Sequence, residues 1–445
     1  MKHPVRHLLS VALAAAVIAV AACNGAAPAT PANAPAGLAG EISFYTSEGP
    51  EQLSSVKGVI DSFQKLHPGA TIQLVNIPDD GEFDKKIAAL FAAGIPPDVF
   101  TINYRRFGPF AIKGALQPLD QYLADSQVVK AGDYYPAALD AFKLKGRQYC
   151  IPQNLSSLAV YYNQSLFEAA RLPLPKAGWT WDEFLNDAKA LTQDTNGDGR
   201  IDQYGLGVQP SALRLVAFIW AHGGDIVDNA DAPTRLTIDS GPALEAFQWF
   251  VNLQVKERVA PSKADEATEG DLSRFEHGTL GMYLNSRVET PELRATIGDR
   301  FQWDVAPMPV DKNTATVLHS DGYCMSSGST NMDLAWAFTE FATGPDGQKQ
   351  IVLTGRTVPS LQAVAQSPAF LVSAEPPAGS QIYLDMAPYI RRVPIMTTWL
   401  EVEDVLNQEI KRAFYGDATV EEAAQSAVNS TLEYFKLNLK DLGTP

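Results

Sequence analysis

Gly178-Trp-Thr-Trp-Asp-Glu-Phe-Leu185, followed by Asp194-Thr-Asn-Gly-Asp-Gly-Arg-Ile-Asp-Gln-Tyr-Gly205, decides how this chain is read. Thr180 and Glu183 have capping-box spacing, which gives the first orphan N–H groups of a helix their partners. Phe184, Ala188 and Leu191 then recur every three to four residues, as one apolar helical face. Asn196-Gly197 and Asp198-Gly199 stop the helix with residues that tolerate positive φ. Gly205-Leu-Gly-Val208 reads as a short buried strand.

Towards the N-terminus the pattern is regular. Glu41–Thr46 is a strand, apolar at Ile42 and Phe44. Leu53, Val56, Ile60 and Phe63 mark a helix stopped by His67-Pro68-Gly69. Thr71–Ile77 is a strand, Phe83, Ile87, Leu90 and Phe91 a helix, and Pro97–Ile102 a third strand. This β–α–β–α–β order opens a doubly wound α/β sheet. Ligands of such sheets sit beyond the carboxyl ends of the strands. That rule selects Ser47, Glu48, Asn103, Tyr104 and Arg105.

The Trp-Thr-Trp-Asp-Glu-Phe helix with its acidic loop and Tyr204-Gly205 resembles the carbohydrate-type extracellular solute-binding proteins of ABC importers. Ala115-Leu-Gln-Pro-Leu-Asp120, Gly146-Arg-Gln-Tyr-Cys-Ile-Pro152, Leu158–Asn163, Phe275–Arg287 and Trp303–Pro309 are similar to further segments of that family, so the resemblance spans most of residues 41–436. It implies a periplasmic-binding-protein-like fold: two doubly wound lobes, type II-like, joined by a hinge of several crossings. The implied lobes are 41–150 with 308–356, and 151–307 with 357–445. The crossings are expected near 148–156, at Trp303–Pro309 and at Thr354–Ser360. Trp399–Phe414 and Thr419–Phe435 read as amphipathic helices, the second opened by the capping box Thr419 to Glu422.

The chain has 445 residues, comfortable for two domains. Its net charge of −16 argues against nucleic acid or an anionic membrane as partner. Lys2, His3, Arg6 and His7 precede an apolar run, Leu8–Val20, that ends at Val20-Ala21-Ala22-Cys23. This is a signal-peptide layout, and its end resembles a lipobox. Residues 1–22 are expected to be removed, with Cys23 lipidated. Residues 24–40, rich in Ala and Pro, would tether the exported protein to the membrane by its lipid alone. Cys150 and Cys324 could pair after export, but sequence separation does not bring them together.

Sugar recognition needs aromatic surfaces for pyranose faces and planar donors and acceptors for hydroxyls. In a closed cleft an unpaired hydroxyl is costly, so specificity follows. The candidate ligand residues are Glu48, Asn103, Tyr104 and Asn154, with Trp220 as a stacking platform. Asn285 and Arg287 occupy the family's ligand-side position, though Arg287 stands where a Trp is usual. Asp321, Arg356 and Arg391 complete the set. Arg391, with Tyr389 and Arg392, could join Arg287 and Arg105 as a cationic pocket. That alternative favours an acidic sugar or a phosphorylated polyol.

Asp194, Asn196, Asp198 and Asp202 match half of an EF-hand loop. Gly205 stands where its bidentate Glu belongs, so calcium is a weak candidate and no other cofactor is indicated. No nucleophile elbow or His-Glu-x-x-His motif is present. A secreted hydrolase or a cell-surface lectin is the rival class. The expected role is that of a monomeric, exported, non-enzymatic subunit that delivers a sugar or polyol to ABC permease subunits.

Overall fold

The computed structural model describes residues 38–372 and 375–443. The expected leader, Cys23 and most of the tether lie outside them. Among the described residues thirteen strands are formed, in chain order β1 (Ala39–Thr46), β2 (Gly69–Asn76), β3 (Val99–Asn103), β4 (Lys143–Leu144), β5 (Arg147–Gln148), β6 (Cys150–Pro152), β7 (Ser156–Asn163), β8 (Tyr204–Gly207), β9 (Leu280–Ser286), β10 (Trp303–Ala306), β11 (Thr316–His319), β12 (Asp321–Met325) and β13 (Ile390–Arg391).

Two sheets carry the fold. The first has the order β2-β1-β3-β12-β6. Its β1 pairs in parallel with β2 and β3, and β12 runs antiparallel to β3 and β6. The alternation read in β1 is real: Ile42, Phe44 and Thr46 are buried and the residues between them less so. The helices Pro50–Leu66 and Met332–Thr343 supply Phe63 and Phe338: Phe338 packs on Phe44 and Tyr323, and Phe63 backs Phe338.

The second sheet has the order β13-β11-β7-β9-β8, with β10 also on β7. Every residue of β7 is buried, as expected of a strand covered on both faces. The helix Trp181–Leu191 opens with the predicted box, Thr180 and Glu183 bonding reciprocally. It buries Trp181, Phe184, Ala188 and Leu191. Gly205 in β8 explains the Tyr-Gly pair that follows it. A Cβ at Gly205 would lie 1.8 Å from the carbonyl oxygen of Ala188, so helix and strand backbones touch there. The helices Trp399–Phe414 and Val420–Asp441 pack on this lobe, with Phe414 against Phe250.

The chain passes between the sheets first at Gln153–Leu155, between β6 and β7. It passes back at Ser320, between β11 and β12. The boundary expected at 307–308 is therefore displaced. Trp303–Pro309 is not a crossing, because β10 pairs with Tyr162 and its neighbours, and β11 still pairs with Ser156 and Ser157. The linking segments lie side by side. Asn154 Oδ1 accepts from the Asp321 amide at 2.7 Å, and Ser320 Oγ donates to the Asn154 carbonyl at 2.7 Å. A third segment joins them: the Leu155 amide donates to the Val358 carbonyl at 2.8 Å, and Ser360 Oγ to that of Pro152 at 2.6 Å.

Cys150 and Cys324 are a register pair of β6 and β12 and form a disulfide. Among the described residues no helix is long and apolar enough to cross a membrane.

A polar cleft between the lobes

A cleft of about 790 Å3 lies between the two sheets, with the linking segments among its walls. This is the upper part of the roughly 300–1,000 Å3 range of small-molecule sites. Glu48, Asn103, Asn154, Asn285, Asp321 and Arg356, all candidates from the sequence, line it. Their positions follow from the strands. Glu48 leaves the carboxyl end of β1, Asn103 ends β3, and Asp321 begins the antiparallel β12 in register with Asn103.

The polar side chains hold one another. Asn103 donates Nδ2 to Asp321 at 3.0 Å and accepts from Arg105 Nε at 3.1 Å, while Arg105 Nη1 pairs with Glu403. Asn285 accepts from Arg214 Nη2 at 2.8 Å and donates to Glu289 at 2.9 Å. Arg106 pairs with Asp84 at 3.0 Å and Asp80 at 3.2 Å. Burial pushes the Glu48 carboxyl up to about 8, helped by the charge of Asp321 and opposed by Arg356. Asp271 is raised well above the carboxylate range by burial and by its hydrogen-bonded neighbour Glu266.

Several buried polar atoms on the cleft wall have no protein partner. They are Gln52 Nε2, Arg106 Nε, Gln153 Oε1, Arg214 Nε, Asp271 Oδ1 and His319 Nε2. Such atoms are costly unless something else satisfies them. Together they offer a ligand both donors and acceptors.

Four sequence candidates lie elsewhere. Tyr104 is fully buried under the cleft and accepts from the Val393 amide at 3.4 Å. Trp220 is 2% exposed and donates Nε1 to Asp225 at 3.1 Å. Arg391 covers the Trp220 ring at 4.5 Å and pairs with the same Asp225 at 2.8 Å, outside the cleft. Arg287 is 2% exposed, bonds Ser380 at 3.1 Å and stacks over Phe370 and Tyr383. Its planar guanidinium serves there as a stacking group. The cationic pocket of Arg287, Arg391 and Arg105 is therefore not formed: these three side chains serve separate neighbourhoods.

In the acidic loop, Asp194 accepts from the Gly197 and Gly199 amides and Asp202 from those of Thr195 and Asn196. Asn196 and Asp198 cap the amides of Asp198 and Arg200. Among the described residues, no group of three or more His, Cys, Asp or Glu is placed to hold a metal ion.

Sequence reasoning missed Arg214, Asp271, His319 and Tyr415. They reach the cleft from helices and from β11 of the second lobe, so their place depends on tertiary packing. His319 had a legible signal, being two residues before the candidate Asp321.

Two lobes, three linking segments and an open polar cleft define a ligand-binding protein of the hinged type. The chain belongs to the bacterial extracellular solute-binding protein family, whose pattern matches residues 46–349. It is 25% identical to the maltotriose-binding protein of Pyrococcus abyssi over 337 residues, 74% of this chain and 68% of that one. Among solved structures, an ABC substrate-binding protein of Listeria monocytogenes in complex with cycloalternan superposes with a TM-score of 0.78. It is 24% identical, over 91% of this chain and 99% of that one. UgpB of Mycobacterium tuberculosis, in complex with glycerophosphocholine, gives 0.76 at 22% identity, over 89% and 98%.

Proposed function

We propose that this protein is the substrate-binding subunit of an ABC importer, capturing a carbohydrate or related polyol between its lobes and handing it to the permease. The observation that carries this reading is the cleft itself: a polar cavity beside the linking segments, whose wall holds unpartnered donors and acceptors. Closing the lobes would bring both walls onto the ligand and expel water, which makes each hydroxyl contact count. Both the maltotriose-binding relative and the cycloalternan complex support a glycan-like ligand.

The subunit binds without turnover, as a monomer that leaves the cytoplasm and is held at the membrane through lipid on Cys23. Paired carboxyls on the cleft wall, Glu48 with Asp321 and Glu266 with Asp271, give the rival hydrolase reading a foothold, since glycoside hydrolysis needs two placed carboxyls. Small-angle scattering with and without a panel of oligosaccharides tests the proposal. Saturable binding with a smaller radius of gyration and intact ligand is expected. Release of cleaved sugar would overturn it.

A further inference from the structure

Arg214 stands in the first turn of the helix Ala212–Ala221 and is 8% exposed. Its guanidinium has one hydrogen bond, from Nη2 to Asn285, and its Nε has no protein partner. Among the described residues no carboxylate lies within ion-pair distance of it. A buried guanidinium without a counter-ion is costly, and burial depresses its pKa. The acids nearest in charge terms are Glu289, reached only through the shared Asn285, and Asp271, whose carboxyl burial pushes well up.

His319, at the end of β11, shares this corner. Burial and the two cations Arg214 and Arg105 push its imidazole down to about 3, so the ring is neutral. Its Nε2 is buried and unpartnered. Arg105 adds charge but is already paired with Glu403. The helix supplies a third element. Gln209, Pro210, Leu213 and Arg214 all line the cleft, so the positive end of the helix dipole faces it.

The geometry points to an oxyanion subsite at Arg214 and His319, which makes the ligand a sugar or polyol bearing one carboxylate or phosphate. This rests on the binding-protein reading above and narrows it. The ligand's oxyanion would take a charge-assisted contact from the Arg214 guanidinium, which lines the cleft. The neutral His319 ring, in the tautomer protonated at Nε2, would add an uncharged donor. The acids elsewhere on the wall, Glu48 and Asp321 among them, remain for hydroxyls. UgpB, bound to a phosphodiester, shows that this fold accommodates such a group.

Calorimetry on the purified protein with matched probes decides it: glucose against glucuronate, glycerol against glycerol 3-phosphate and glycerophosphocholine, and maltotriose as a neutral glycan. At least one oxyanion-bearing probe is expected to bind tenfold or more tighter than its neutral match, and to weaken with salt. Glucuronate against the phosphates tells which oxyanion is used. Arg214→Met should weaken that probe about a hundredfold and thermally stabilise the unliganded protein, since it removes a buried cation that has no direct ion pair. Arg214→Lys should restore part of the affinity, and His319→Phe should cost about tenfold. Neutral probes bound as tightly as charged ones would overturn the oxyanion subsite and leave the importer reading standing. So would Arg214→Met binding like the parent. Silence from every probe would overturn both.

Discussion

Cys150 and Cys324 face one another across β6 and β12 and are bonded, and each stands a few residues from a passage between the lobes. The first passage follows Cys150 at Gln153–Leu155, and the second precedes Cys324 at Ser320. The bond therefore fixes, on the first lobe, the two strands from which these linking segments spring. It also closes a loop of sequence separation 174 that contains most of the second lobe.

The double variant Cys150→Ala, Cys324→Ala is expected to lose about 3 kcal/mol of stability, within the spread seen for native disulfides in exported proteins. Both sulfurs are fully buried, so some of the loss comes from packing. Urea denaturation of the variant and parent measures it. Unchanged stability would mean that the cross-link constrains nothing that the sheet does not already hold.

How much of this was legible beforehand follows physical lines. The opening sheet, the Thr180 box and the terminal helices were readable, because local periodicity and capping chemistry specify them. The helix read over Thr419–Phe435 is capped at Thr419 and runs on to Asp441. The strand-end rule placed Glu48, Asn103 and Asp321 in the cleft. It misplaced Tyr104, because alternate residues at a strand end point to opposite sides and Tyr104 turned into the core. Trp220 was misread for a different reason. Its helix is buried all round, so an aromatic there had no free face to offer a ligand. The second passage was misjudged because β10 and β11 are both short antiparallel partners of β7, which a linear reading cannot assign to a sheet.

Gly205 is expected to resist substitution although its backbone is not in the left-handed region. Alanine there would push its Cβ into the Ala188 carbonyl, and main chain cannot swing away as a side chain can. Gly205→Ala should cost about 3 kcal/mol or more, at the upper end for overpacking. Thermal unfolding against the neighbouring exposed-site variant Asn186→Ala checks this. A loss below about 1 kcal/mol would show that helix Trp181–Leu191 can slide on β8.

Arg287 separates a structural from a ligand role. It lies between Phe370 and Tyr383 and bonds Ser380, away from the cleft lining. Arg287→Ala should lower stability by about 2–4 kcal/mol through lost packing and stacking. The dissociation constant of the best-bound probe should stay within twofold. A tenfold weakening with intact stability would return Arg287 to the ligand set.

Glu48 gives a pH signature with a definite sign. Its carboxyl is held up to about 8 in the folded protein, mainly by burial and then by Asp321, from an ordinary value of 4.5. Between those values the folded state holds a proton that the unfolded state has released. The stabilisation is complete below about pH 4.5 and is lost as pH rises towards about 8, with a slope of up to ~1.4 kcal/mol per pH unit from this group. Glu48→Gln cannot ionise and lacks that slope. Buried carboxyls such as Asp271 and Glu289 add slopes of the same sign, so the difference between parent and variant is the informative quantity. Urea titrations at pH 5, 6.5 and 8 should show Glu48→Gln gaining on the parent at each step upward. A constant gap across the three would mean that Glu48 is ionised throughout, and that burial does not raise its carboxyl.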